Sequence, residues 1–327
     1  MTEKQNHAVC LVCPLHPPHF LYGQMLAYQV LRAEVDLCFV FTTAEDRKKF
    51  LHLASKGSQP WFRTLVLEDH LSAAEIRAVE AKRLVPVFKK LCALDTLRLD
   101  YDWLICIDAE TILLRLDRWA EACESLFDSK VWFGGVINTH MTIERRIAAA
   151  SGTELVPVND VGRIQSLASQ YNWYSWWWDL PAFKSAHLGD FLNWIGWGDK
   201  GSVIQRASWF TFEHILYQYF TAVHCGFTLH AVQEVTQSLE CSGVADYKLV
   251  AETLRAPTWV NCNAYLQDPE YAADLGVMAV YHLDRTGLPS FEPPRSHAGG
   301  ESGKDQPLPL YDRVARRVVR TVQRYWR

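Results

Sequence analysis

The sequence predicts an α/β fold in which a mostly parallel sheet is flanked by helices. Short, largely apolar runs alternate with stretches of helical periodicity over residues 8–136, which is the order expected of βαβ units. The runs are apolar over nearly their whole length rather than alternating, as is typical of strands covered on both faces. Because ligands of such sheets bind beyond the carboxyl ends of the strands, the residues that follow each run are the first candidates for a functional site.

The predicted elements follow one another without an internal repeat. We expect strands at residues 8–12, 36–41, 65–67, 101–107 and 131–136. The first helix follows a loop rich in Pro and His, and its apolar positions are Leu21, Met25, Tyr28 and Leu31. A longer helical run spans 72–99, where Ser72 and Glu75 form a capping box and Pro86 must break or kink the helix.

Composition and charge exclude several classes of protein. A chain of 327 residues that is 49% hydrophobic and 21% charged is neither disordered nor a disulfide framework, and its net charge of −4 argues against a nucleic-acid partner. The nine Cys are scattered and several lie in apolar runs, so we predict free core thiols, the Cys10 and Cys13 pair included. The sequence contains no pattern of a signal peptide or membrane span, and we expect a cytoplasmic protein.

Two carboxylates follow the apolar run at 101–107. Asp108 and Glu110 are separated by one small residue, and in an extended segment their side chains fall on the same face. Two carboxylates that close repel each other unless a cation lies between them, and oxygen ligands suit Mg²⁺ or Mn²⁺. The alternative is a solvated strand end, where acidic residues are common.

The surroundings of this pair carry a family resemblance. Residues 89–111, KKLCALDTLRLDYDWLICIDAET, resemble the central region of GT-A glycosyltransferases, in which a Lys-x-x-x-Leu helix precedes an apolar strand ending in a D-x-D motif. The segment around His282, VYHLD, is similar to the late His of many of these enzymes. The resemblance implies a Rossmann-like GT-A fold and a Mn²⁺ or Mg²⁺ ion held by Asp108, Glu110 and His282, with Glu110 in place of the second Asp.

The same resemblance implies a nucleotide-sugar donor and its binding residues. The loop after the first strand, with Pro14, Leu15 and His16, lies where such enzymes seat the nucleotide base. Asp108 would contact the donor phosphates through the metal ion, and Lys89 or Lys90 would add positive charge near them. For the two lysines a solvated helix face remains the alternative.

A Trp-rich segment indicates where an acceptor sugar binds. Seven of the 13 Trp lie between Trp173 and Trp209, and three of them, Trp176, Trp177 and Trp178, are consecutive. Three consecutive rings cannot all face one core, so at least one is expected to be exposed or to line a cleft, where its flat face can stack on a sugar. Asp179 follows directly and can bind a sugar hydroxyl or act as a base.

A second candidate base lies further along the chain. The stretch 209–219, WFTFEHILYQY, resembles the Glu-bearing segment that starts a helix in some bacterial GT-A enzymes. In an inverting enzyme a carboxylate deprotonates the acceptor hydroxyl, and we predict Glu213 for this role. The alternative is charge complementation at a helix N-terminus.

The charge of the chain is unevenly distributed. Residues 312–327 carry six Arg and one Asp, a net charge of +5, and residues 1–311 therefore carry −9. As a helix, residues 311–327 present a narrow Val stripe between Arg residues and a terminal Trp, a pattern suited to an anionic membrane surface. The alternative is a helix that docks on another domain or subunit.

Together these features predict the organisation and activity of the chain. We expect a nucleotide-sugar-binding half at residues 1–140, a Trp-rich acceptor-binding half of the same domain at 141–285, a linker at 286–310 and a basic amphipathic helix at 311–327. The predicted function is transfer of a sugar to a glycan or lipid-linked acceptor of surface polysaccharide synthesis, at the inner face of the cell membrane. The alternatives are a nucleotidyltransferase of similar fold and a non-catalytic glycan-binding or scaffold protein.

Overall fold

The computed structural model describes residues 8–54, 61–113, 115–134, 155–171, 181–208, 211–231, 259–261 and 279–281. All of them belong to one unit that spans residues 1–281. Several of the predicted features lie outside the described residues, namely the Trp-rich segment at 172–180, His282, the linker at 286–310 and the basic segment at 311–327. These remain predictions, as does the predicted division into two halves.

The strands form one main sheet and two smaller ones. In chain order they are β1 (Val9–Pro14), β2 (Asp36–Phe41), β3 (Arg63–Val66), β4 (Trp103–Cys106), β5 (Ile112–Leu113), β6 (Val131–Gly134), β7 (Ala182–Lys184), β8 (Thr228–Ala231), β9 (Trp259–Asn261) and β10 (Ala279–Tyr281). The main sheet has the order β3-β2-β1-β4-β7, parallel throughout except for β7, which pairs antiparallel with β4. The smaller sheets have the orders β5-β10-β9 and β6-β8.

Helices connect and cover these strands. They are α1 (Phe20–Val30), α2 (Ala44–Ala54), α3 (Ala73–Ala81), α4 (Val85–Leu97), α5 (Trp119–Ser129), α6 (Val158–Tyr171), α7 (Ser185–Trp194), α8 (Lys200–Arg206) and α9 (Glu213–His224). A short 3-10 turn at Pro17–His19 precedes α1. The mostly parallel sheet flanked by helices confirms the predicted α/β class.

The central strands form because their side chains are apolar on both faces. Every residue of β1 is buried, and β2 and β4 are buried over nearly their whole length. Cys10 and Cys13 are fully buried free thiols, which confirms the prediction that this pair belongs to the core. Burial raises the pKa of the neighbouring Cys38 thiol to about 12, so a core thiol of this kind is unreactive at neutral pH.

The helical run at 72–99 is divided into two helices. The predicted capping box is present, with the Ser72 side chain accepting from the Glu75 amide and the Glu75 carboxylate accepting from the Ser72 amide. The first helix, α3, ends at Ala81, and Arg83 takes a left-handed backbone conformation with φ of 59°. Pro86 then lies in the first turn of α4, where its missing N–H needs no partner.

The packed face of α1 differs from the predicted one. Leu21, Tyr28 and Leu31 are 39%, 48% and 50% exposed, whereas the buried positions include Phe20, Leu26, Ala27 and Val30. Gly23 lies on this buried face, and a Cβ at this position would come within 2.8 Å of a Leu15 methyl carbon. The helix therefore packs closely against the residue that follows β1, and of the predicted apolar positions only Met25 is partly buried.

Candidate active site

The candidate site lies at the carboxyl ends of β1 and β4. These two strands are parallel neighbours, with Val12 aligned on Cys106, so the residues that follow them share one edge of the sheet. Leu15 follows β1, and Asp108 follows β4 after Ile107. This edge is where ligands bind in sheets of this kind.

Lys90 joins two of the carboxylates at this edge. Its Nζ lies 3.3 Å from Asp108 Oδ1 and 3.2 Å from Glu213 Oε1, and its side chain is only 6% exposed. Burial by itself would lower the pKa of Lys90, but the negative charges of Asp108 and Glu213 outweigh burial and raise that pKa well above its usual range. The site therefore contains a permanent buried positive charge between two carboxylates.

Glu213 is the first residue of α9 and is 1% exposed. Besides Lys90, the ring atom Nδ1 of His214 lies 3.7 Å from its Oε1. Burial would raise the pKa of Glu213, but Lys90 and His214 outweigh it and lower the pKa to about 2. A carboxylate with such a pKa is a weak base, so this geometry favours Glu213 as the partner that fixes Lys90 over the predicted role of general base.

Glu110 faces the loop that follows β1. The residue is 6% exposed, and its Oε2 lies 3.5 Å from Nδ1 of His19, the last residue of the 3-10 turn. The rings of His19 and His16 are also in contact, with centroids 4.2 Å apart. The turn after β1 and the acidic pair after β4 therefore meet through His19 and Glu110.

Lys89 has a different partner from Lys90. It is 1% exposed, and its Nζ donates a hydrogen bond of 2.6 Å to the carbonyl oxygen of Leu15. Burial lowers the pKa of Lys89 to about 8. Neither lysine lies on a solvated helix face, and each is directed to a different part of the site.

The two carboxylates of the D-x-E pair fit a hard divalent cation. Mg²⁺ usually takes only one or two protein carboxylates, and phosphate oxygens and water complete its coordination. The Asp108 side chain is 28% exposed, and the buried Oε2 of Glu110 accepts no hydrogen bond within the described ranges. Over those same ranges no three His, Cys, Asp or Glu side chains form a ligand group, and the predicted third ligand, His282, lies outside them.

Two His residues lie at the site although they were not predicted as site residues from the sequence. His19 contacts Glu110, and His214 contacts Glu213. In the sequence, His19 could have been found as the second His of the Pro-rich loop that follows a buried strand. His214 could have been found because it directly follows the predicted Glu213. By contrast, the predicted acceptor residues Trp176, Trp177, Trp178 and Asp179 lie outside the described residues.

Two of the solved structures that are similar to this chain are glycosyltransferases by name. No family model and no curated protein matches the chain. The apo form of mouse xyloside xylosyltransferase 1 is 9% identical over 86% of this chain and 99% of that chain, with a TM-score of 0.37. The apo structure of the bifunctional glycosyltransferase WbbM is 11% identical over 86% of this chain and 47% of that chain, with a TM-score of 0.42.

Proposed function

We propose that this protein is a glycosyltransferase that moves a sugar from a nucleotide-sugar donor to an acceptor hydroxyl. The observation that carries the proposal is the convergence of Asp108, Glu110, Lys90 and the turn after β1 at one edge of a parallel sheet. A nucleoside diphosphate needs a surface for its base and positive charge for its phosphates, and this edge offers groups for both.

The donor would lie across the two strand ends. Pro14 and Leu15, which were predicted to contact the nucleotide base, are buried in the core, so of that set only the half-buried His16 is proposed to receive the base. Asp108 and Glu110 would hold Mn²⁺ or Mg²⁺ against the diphosphate. Such an ion supplies Lewis-acid stabilisation of the charge that develops on the leaving diphosphate. The ammonium of Lys90, held 3.3 Å from Asp108, would add a fixed positive charge at the same place.

The acceptor would bind on the Trp-rich side of the site. Trp176, Trp177 and Trp178 are proposed to stack on its sugar rings, and either Asp179 or Glu213 would accept the proton of its hydroxyl. The buried ion pair between Glu213 and Lys90 weighs against Glu213, so Asp179 becomes the stronger candidate for the base.

The proposed cellular setting is the inner face of the cell membrane, where a glycan or lipid-linked acceptor is extended. It is supported by the +5 charge of residues 312–327, where six Arg side chains can face anionic lipids. In the part of the chain that the structure describes, no helix combines the length and the apolar character needed to cross a bilayer.

A binding screen tests the proposed activity. Thermal unfolding is measured with UDP, GDP, CDP and ADP and with their common sugar conjugates, with and without Mn²⁺. We expect one nucleotide to raise the unfolding temperature in a Mn²⁺-dependent manner, and Asp108→Ala to abolish that effect. The matched control is Asp102→Ala, because this exposed residue lies at the opposite end of β4. If no nucleotide of the panel binds, the proposed activity is wrong.

A further inference from the structure

The buried ammonium group of Lys89 donates a hydrogen bond to a neutral group. Its Nζ donates to the Leu15 carbonyl oxygen at 2.6 Å, and among the described residues no carboxylate lies within 4.0 Å of it. Lys90, its neighbour on α4, lies against two carboxylates instead. Burying a charge without an ion-pair partner is costly.

The lowered pKa of Lys89 reflects this cost of burial. Burial lowers the pKa of Lys89 to about 8, although Asp46 of α2 and Cys13 of β1 act in the opposite direction. Burial, the neighbouring His19 and the charge of Lys89 together lower the pKa of His16 to about 4. A Met side chain would fill the same space without a buried charge, so what the ammonium adds is its hydrogen bond to Leu15.

Leu15 is the residue from which the turn after β1 departs. Its amide donates to the Val40 carbonyl of β2 at 2.9 Å, and its side chain packs against Gly23 of α1. The next residue, His16, precedes the 3-10 turn, and the His19 amide closes that turn on the His16 carbonyl at 2.9 Å. A constraint on the Leu15 carbonyl therefore fixes the start of the turn that brings His19 to Glu110.

We propose that Lys89 is a positioning residue that ties α4 to the Leu15 carbonyl and so holds the turn after β1 in the geometry that receives the nucleotide. The inference rests on the proposed function for the identity of the ligand, but the anchoring of the turn is a property of the free protein. Hydrogen bonds from charged donors are about twice as strong as neutral ones, which gives a single bond enough strength for this role.

The anchoring is tested first without any ligand. Amide hydrogen exchange is measured in the wild type, Lys89→Met and Lys89→Arg, the last of which retains a charged donor. We expect the protection of the His19 amide to fall about tenfold in Lys89→Met and to recover in Lys89→Arg, while the Cys225 amide keeps its protection. Unchanged protection of His19 in Lys89→Met overturns the proposal.

A second lysine provides the matched control. Lys82 donates to the carbonyls of Ile204, Gln205 and Ala207 at the end of α8, away from the turn. Lys82→Met removes three lysine–carbonyl hydrogen bonds, where Lys89→Met removes one, and should lower global stability, but we expect His19 to keep its protection. Equal losses at His19 in both variants would show a global effect and contradict the proposal.

The consequence for binding is measured with the nucleotide identified in the UDP, GDP, CDP and ADP panel. We expect Lys89→Met to raise its Kd, and the KM of the corresponding nucleotide sugar, about tenfold, with kcat changed less than about twofold. Unchanged Kd and KM would contradict the inference and leave the proposed function intact. If no nucleotide binds even the wild type, the proposed function fails, and the exchange measurement still decides the role of Lys89.

Discussion

Lys90 and Glu213 form a buried ion pair, with 3.2 Å between Nζ and Oε1, that joins the middle of α4 to the first turn of α9. Asp108 shares the same ammonium from the end of β4. One positive charge therefore holds α4 and the end of the following strand, β4, to α9, which lies more than 100 residues further along the chain. The charge balance of this cluster determines both its stability and its chemistry.

Removing Lys90 should leave two uncompensated carboxylates at the site. Loss of one partner of a buried pair typically costs about 3 to 5 kcal/mol, and we expect Lys90→Met to lower the free energy of unfolding by about 3 kcal/mol. Lys90→Met with Glu213→Gln should cost clearly less than the sum of the two single variants. Denaturant unfolding of all four proteins measures this coupling, and strictly additive effects would contradict the ion pair.

Acid should weaken the protein through Glu213. Its pKa is lowered from 4.5 to about 2 in the folded protein, so its stabilising contribution is complete above pH 4.5 and is lost as the pH falls toward about 2. The shift corresponds to about 3 kcal/mol. Unfolding free energies of the wild type and Glu213→Gln should therefore converge over this range, and a constant difference would contradict the shifted pKa.

Lys89 should make stability rise with pH as Glu213 does, but in the alkaline range. Its pKa is lowered from 10.5 to about 8, so between these values the unfolded chain binds more protons than the folded one, and stability rises with pH. Relative to Lys89→Met, the wild type should gain up to about 3 kcal/mol across this window. Denaturant unfolding at a series of pH values gives the difference directly. Parallel profiles of the two proteins would show that Lys89 does not titrate there.

The basic segment should bind anionic membranes. Each Arg near such a surface contributes about 1 kcal/mol, so deletion of residues 311–327 should abolish sedimentation with liposomes that contain phosphatidylserine. Binding of the full chain should also weaken with added salt. Turnover with a water-soluble acceptor should be unchanged by the deletion. Continued liposome binding of the shortened chain would assign the membrane contact to another part of the protein.

The sequence was sufficient to predict the class of the fold and to place the acidic pair of the candidate site after β4. Largely apolar runs marked β1, β2 and β4, and the acidic pair after β4 marked the candidate site. The sequence could not separate the roles of Lys89 and Lys90, because adjacent residues on α4 reach different partners only after β1 and α9 pack against it. The packed face of α1 was missed because apolar residues lie on both sides of this helix: Leu21 and Tyr28 are exposed whereas Leu26 and Val30 are buried, so periodicity alone does not mark the packed side.

The central claim is that Asp108 belongs to a donor site for a nucleotide sugar, and its most direct test is nucleotide-sugar hydrolysis in the presence of Mn²⁺. We expect the wild type and Asp102→Ala to release the free sugar from one donor of the panel. Asp108→Ala should lose this activity while keeping a cooperative unfolding transition. Undiminished hydrolysis by Asp108→Ala would contradict the account.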